Sequence, residues 1–125
     1  MLLLLFYLMV PPTHGSYCAA TDLSFDGYRY QENIPHCKRD VTVEKKIEIC
    51  KRDGVVDRSD FTVDHIIPLS LGGSNNDDNL WCQHKSLNVT SLEYEAFKEI
   101  ESGESNQKET VDKVLEAKFS KGIGE

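Results

Sequence analysis

The segment DHIIPLSLGGSNNDDNLW, residues 64–81, is the most informative part of this chain of 125 residues. β-branched and aromatic residues run from Phe61 to Ile67 and predict a strand, which Pro68 interrupts. A cluster of turn-forming residues at 71–78 separates it from a short apolar run at 80–82. This order predicts an antiparallel hairpin with a long polar loop.

Two segments before the hairpin differ in their pattern. In residues 42–52 apolar side chains recur every three or four positions, and Gly54 follows as a stop signal, which predicts a helix. Residues 17–36 carry aromatic side chains among Asp, Gly, Asn and Pro without a clear period. They predict an irregular arm that packs over the core.

Two helices are predicted after the hairpin. Thr90 and Glu93 form a capping-box pattern, and apolar residues follow on one helical face to about residue 101. Ser105 is suited to cap a last helix that ends before Gly122. The predicted fold is therefore α+β, with a hairpin and a helix at its centre and helices on either side.

The cysteines and the N-terminus predict an exported protein. Residues 1–10 are apolar but too short to span a bilayer, and small residues suited to cleavage follow at Gly15 and Ser16. Residues 1–16 therefore read as a signal peptide, although no Lys or Arg precedes the apolar run; the alternatives are a buried N-terminal segment or a different start codon. A single domain at 17–125, secreted or periplasmic and without stable membrane insertion, is expected.

An even number of cysteines in a small exported domain favours two disulfides. The four cysteines are Cys18, Cys37, Cys50 and Cys82, and their spacing leaves three connectivities open. Zinc binding is the competing use, but no pair has the close C-x-x-C spacing of structural zinc sites.

The net charge of −7 argues against a protein that holds nucleic acid through a general basic surface. Residues 38–58 are locally basic, with seven cations against five acids. A helix in this segment could contact phosphates, or it could be an ordinary solvated face of mixed charge. The candidate phosphate-binding residues are Lys45, Lys46, Lys51 and Arg52.

The acid and the histidine at the end of the first strand suit phosphodiester hydrolysis. His65 can accept a proton from water near neutral pH, and Asp64 can bind a hard divalent cation. Adjacent residues of a regular strand point to opposite faces. We therefore expect the strand to end or bulge here, so that both residues reach the same cavity.

The motif DHIIPLxLGGSN followed by NLW resembles that of the HNH nucleases, also called ββα-metal or His-Me finger nucleases, over residues 63–93. The resemblance implies a ββα-metal core at about 60–102 and a metal-dependent endonuclease that cleaves DNA, and RNA as a second candidate, with low sequence specificity. It implies that His65 is the general base and Asp64 a metal ligand. Asn79 would hold the loop and orient the histidine through hydrogen bonds.

At the third position of the motif, where a histidine is usual, this chain has Asn88. An asparagine there implies Mg²⁺ as the preferred cation, with Mn²⁺ or Zn²⁺ as alternatives. His84 is the rival third ligand. Asn88 has two further readings, as a residue that satisfies the start of the helix and as a glycosylation sequon with Thr90.

Two further alternatives stay open from the sequence. Trp81 is either a core residue or a platform for a base. The whole domain is either an enzyme or a catalytically inactive, disulfide-stabilised binding module of the same fold.

Overall fold

The computed structural model describes residues 9–121. Between residues 10 and 121, two β-hairpins and three helices form an α+β domain, with three short 3₁₀ turns at Leu69–Leu71, Asp77–Asn79 and Lys85–Leu87. The strands and helices, in chain order, are β1 (Phe25–Arg29), β2 (Ile34–Cys37), α1 (Val43–Arg52), β3 (Phe61–His65), β4 (Leu80–His84), α2 (Thr90–Ser102) and α3 (Gln107–Lys121).

The central hairpin pairs β3 with β4 in antiparallel register, with Asp64 opposite Trp81 and His65 opposite Leu80. The predicted first strand is two residues too long, because the backbone turns away from the ladder after His65. The backbone N–H of Ile67 donates instead to the Asn79 side chain. The hairpin itself is confirmed.

Helix α1 is confirmed at the predicted position. The Thr42 side chain caps it by accepting a hydrogen bond from the backbone N–H of Lys45. A disulfide between Cys50 and Cys82 ties this helix to β4. The prediction of two disulfides is confirmed, and the second bridge joins Cys18 to Cys37.

The prediction of an irregular arm at 17–36 is wrong, since β1 and β2 form an antiparallel hairpin there. Tyr30 and Asn33 in the turn have positive φ angles, and the register shifts between Phe25 and Tyr28. A shifted register removes the alternation of apolar and polar residues that marks a strand in sequence.

The main core lies where α2 and α3 pack against the start of β2 and the first 3₁₀ turn. Its buried members are Ile34, Ile67, Leu71, Ala96, Ile100, Val111 and Val114. The helix α2–α3 pair therefore stands directly behind the segment that follows β3.

Both predicted helix caps are wrong by one residue or more. Helix α2 has Val89 as its N-cap with no capping side chain, and the Glu93 carboxylate pairs with Lys118. Asn106, not Ser105, caps α3 by accepting from the backbone N–H of Glu109. At α2 the side chain of Asn88 meets part of the need of the helix N-terminus for acceptors, because its Oδ1 accepts from the backbone N–H of Thr90.

The predicted signal peptide falls partly outside the described residues, which begin at residue 9. Among those that follow, the Ser16 hydroxyl donates to the Asp78 carboxylate at 2.6 Å, and its backbone N–H donates to the side chain of Asn79. The segment up to Ser16 thus contacts the loop of the central hairpin. Across residues 9–121, no helix has the length and apolar character needed to cross a membrane.

Candidate active site

An open cleft of about 690 Å³ lies at the end of β3, beside the 3₁₀ turn that follows it and the start of α2. Asp64 and His65 both line it, although they are adjacent in a regular ladder. The strand ends at His65, which is one of the two ways expected for both residues to reach the same cavity. That expectation is confirmed.

The hydrogen bond to Asn75 determines the tautomer of the neutral His65 ring. His65 is only 5% exposed, and its Nε2 lies 2.9 Å from Oδ1 of Asn75. The Asn75 amide is oriented by its own partners, since Nδ2 donates to Ser24 Oγ and to the carbonyl of Lys38. Because the amide oxygen therefore faces His65, Nε2 carries the proton and Nδ1 keeps its lone pair.

Electrostatics favour the neutral ring. Burial lowers the pKa of His65, its hydrogen bond to Asn75 raises it, and the positive charge of Arg39 lowers it further, with a net decrease. A neutral imidazole with a free Nδ1 is a proton acceptor near pH 7. The chemistry available at this residue is that of a general base.

We expect that in Asn75→Ala the His65 ring is no longer restricted to one tautomer, because the variant removes the acceptor for Nε2–H. The imidazole ¹⁵N shifts should change from those of a single Nε2–H tautomer to those of a mixture. Asn76→Ala is the matched control, since Asn76 is exposed one residue away and makes no capping hydrogen bond. Unchanged ¹⁵N shifts in Asn75→Ala would show that other groups fix the ring.

Asn79 holds the loop, as expected, but it makes no hydrogen bond to the His65 ring. Its side chain is fully buried; Oδ1 accepts from the backbone N–H groups of Ile67 and Ser16, and Nδ2 donates to the carbonyls of Ile67 and Ser74. The direct orienting bond comes from Asn75. The sequence contains both asparagines, but it does not show which one faces the ring.

The Asp64 carboxylate is held at one oxygen. Oδ2 accepts from Trp81 Nε1 at 2.9 Å and from Lys118 Nζ at 2.8 Å. Trp81 is 1% exposed, which confirms the core reading over the base-stacking one. In the described part of the chain Oδ1 accepts no hydrogen bond, and it remains available to a ligand in the cleft.

Asn88 and His84, the two candidates for the third position, lie in different places. Asn88 lines the cleft with Asp64, and its Oδ1 also accepts from Thr90 at the start of α2. His84 does not line it: its Nδ1 bonds to Ser86. It stands at the far end of the hairpin, opposite Phe61. The structure thus brings Asn88, and not His84, to the same cleft as Asp64.

The donors that share the cleft fit a hard divalent cation. Carboxylate and amide oxygens are the ligands that Mg²⁺ and Mn²⁺ accept, whereas zinc prefers nitrogen and sulfur. Within residues 9–121, the one clustered set of three His, Cys, Asp or Glu ligands is Cys18, Asp22 and Cys37. Its two cysteines form a disulfide and offer no thiolate.

The four basic residues predicted to bind phosphate do not line the cleft. Lys45 pairs with Asp77, and the Arg52 guanidinium bonds to Asp53 and to the carbonyl of Leu80, so both hold α1 to the hairpin. Lys46 and Lys51 are exposed on the same helix. Contact of these four residues with phosphate stays a prediction.

Three charged residues that line the cleft, and Lys118 behind it, were missed. Arg39 and Lys85 line it, and Glu93 lines it while pairing with the buried Lys118. Burial raises the pKa of Glu93. Lys38 and Arg39 were counted in the basic segment, but no pattern in the sequence separated Arg39 from its neighbours.

Comparison with known proteins identifies one match. Residues 48–84 match the family model described as HNH endonuclease. The match runs from the second half of α1 to the end of β4, includes Asp64, His65 and Asn79, and stops before Asn88. Searches of curated proteins and of solved structures give no significant match.

Proposed function

We propose that this chain is an HNH endonuclease, because residues 48–84 match the model of that family, and that it hydrolyses phosphodiester bonds of DNA with the help of a divalent cation. RNA is a second candidate substrate. The observation that carries this proposal is the buried His65, whose Nε2 lies 2.9 Å from Asn75 Oδ1 and which stands beside Asp64 in an open cleft.

His65 is the proposed general base. Its Nδ1 takes a proton from the attacking water, while Nε2 stays bonded to Asn75. Asn75 also stabilises the charged ring that forms, because its Oδ1 accepts from Nε2–H throughout. Positioned general bases of this kind contribute about 10²–10⁴ to a rate.

Asp64 and Asn88 are the proposed ligands of the cation. Their support is the free Oδ1 of Asp64 and the position of Asn88 on the same cleft. A bound Mg²⁺ or Mn²⁺ supplies neutralisation of charge on the phosphate and on the leaving oxygen.

Arg39 and Lys85 are the proposed contacts to the phosphate backbone. Arg39 is exposed on the cleft and forms no ion pair with any residue from 9 to 121, and Lys85 forms one exposed pair with Asp60. Phosphate contacts carry no sequence information. The proposal therefore includes low sequence specificity, in a protein whose net charge of −7 limits binding away from the cleft.

Nicking of supercoiled plasmid tests this function. We expect cleavage with Mg²⁺ or Mn²⁺, none with EDTA, and a loss of about 10²-fold in Asn88→Ala because a metal ligand is removed. His84→Ala is the matched control and should stay near the wild-type rate. Binding of DNA without cleavage under any metal would favour the inactive binding module instead.

We propose that the protein is exported. Two disulfides are compatible with a secreted or periplasmic location. Cleavage after Ser16, at the end of the predicted signal peptide, would remove the bonds that this residue makes to Asn79 and Asp78, whereas cleavage after Gly15 would keep them. Mass spectrometry of the exported chain would identify the mature N-terminus.

A further inference from the structure

The buried ammonium of Lys118 occupies a cage of four oxygens behind the cleft. The Lys118 side chain is 0% exposed, and Nζ lies 2.8 Å from Asp64 Oδ2 and 2.9 Å from Glu93 Oε2. The backbone carbonyls of His65 and Ile66 each accept from it at 2.8 Å. Two carboxylates and two carbonyls are a donor set suited to a cation, and here the chain supplies the cation itself.

This contact joins three parts of the fold. Lys118 comes from α3, Glu93 from α2, and the remaining oxygens come from the end of β3 and the residue after it. The lysine is 54 residues away from Asp64 in sequence. Its position therefore depends on the packing of α3 against α2 and not on any local motif.

The geometry also determines which oxygen of Asp64 is free. Lys118 and Trp81 both bond to Oδ2, so the carboxylate cannot rotate without losing two hydrogen bonds. Among the described residues Oδ1 has no hydrogen-bond partner, and Asp64 lines the cleft where the cation is proposed to bind. A side chain held by such partners binds a metal in one geometry.

The charge of the cage matters as much as its geometry. Asp64, Glu93 and Lys118 together carry a net charge of −1, and without the lysine they carry −2. An ammonium bonded to a metal ligand repels a divalent cation on the other oxygen of the same carboxylate. Lys118 thus orders Asp64 and at the same time weakens its hold on the metal.

We propose that Lys118 is a positioning residue of the active site, which acts as a tethered internal cation that orients Asp64 and sets its affinity for a divalent metal. The role in metal binding rests on the proposed function. A merely structural lysine would on removal loosen Asp64 and leave metal binding weaker or unchanged. If Lys118 instead sets the charge beside Asp64, its removal makes metal binding tighter.

Titration of Mn²⁺ by calorimetry tests the proposal without measuring cleavage. Lys118→Met should bind Mn²⁺ about tenfold more tightly than wild type, since one positive charge beside Asp64 is lost. Its Tm without metal should fall by roughly 10 °C, and Mn²⁺ should raise it by more than it raises that of wild type. Lys113→Met is the matched control on α3, because Lys113 is exposed and pairs only with Glu99.

A double variant keeps the test decisive if Lys118→Met does not fold. Glu93→Gln combined with Lys118→Met restores the net charge of −1, so it should fold and bind Mn²⁺ within about threefold of wild type. Failure of this double variant to fold, or binding about tenfold weaker than wild type, would overturn the proposal. So would a folded Lys118→Met that binds Mn²⁺ no more tightly than wild type.

Failure of the proposed function has a different signature. If the wild-type protein never nicks DNA but Lys118→Met binds Mn²⁺ more tightly, the proposed role of Lys118 stands and the proposed nuclease function is wrong. If the wild-type protein nicks DNA but Lys118→Met binds Mn²⁺ with unchanged affinity, the nuclease function stands and the proposed role of Lys118 is wrong.

Discussion

His65→Ala is expected to slow DNA cleavage by about 10³-fold, the largest effect on activity of any single substitution proposed for this protein. The variant removes the group that accepts the proton of the attacking water, and no other histidine lines the cleft. Plasmid nicking at saturating Mg²⁺ measures the loss. Circular dichroism should show an intact fold, because the ring makes one side-chain hydrogen bond.

His36→Ala is the control for this experiment. His36 bonds to Asp26 on the β1–β2 hairpin and does not line the cleft. It should cleave at close to the wild-type rate. Cleavage by His65→Ala within tenfold of wild type would rule out His65 as the base.

Asn79→Ala is expected to lower the free energy of unfolding by about 3 kcal/mol or more, the largest effect on stability. Its buried amide satisfies four backbone groups, which are the N–H and carbonyl of Ile67, the N–H of Ser16 and the carbonyl of Ser74. Each buried group left without a partner costs about 1–3 kcal/mol. Urea denaturation followed by fluorescence of the buried Trp81 measures the change.

The loop offers its own control in Asn76→Ala. Asn76 lies three residues earlier, is exposed, and does not cap the 3₁₀ turn that it precedes. Its substitution should change stability by no more than about 0.5 kcal/mol. Equal effects of the two alanine variants would show that the loop does not depend on the Asn79 amide.

Gly73 lies where the backbone of the loop passes close to Ile67. A Cβ on Gly73 would collide with the carbonyl oxygen of Ile67 and crowd Asn79. The backbone must pass this close for the Asn79 side chain to bond both sides of the loop. The two glycines at 72–73 are thus part of the geometry that brings β4 back beside β3.

Several features of the fold could be predicted because they depend on short-range patterns. Helix α1 and the β3–β4 hairpin follow from the spacing of apolar side chains and from turn residues. The pairing of the cysteines could not, since three connectivities satisfy the same count. The β1–β2 hairpin was missed because its shifted register breaks the alternation expected of strands.

The candidate site likewise combines local features that the sequence predicts with long-range contacts that it does not. The sequence by itself determined that Asp64 and His65 stand together at a strand end, because adjacency and a strand terminus are local properties. Only the tertiary structure decided that Asn75 and not Asn79 bonds the His65 ring, that Asn88 and not His84 shares the cleft with Asp64, and that Lys118 reaches Asp64. These contacts join residues far apart along the chain, and such contacts depend on how α2 and α3 pack behind the hairpin, which no local pattern of residues encodes.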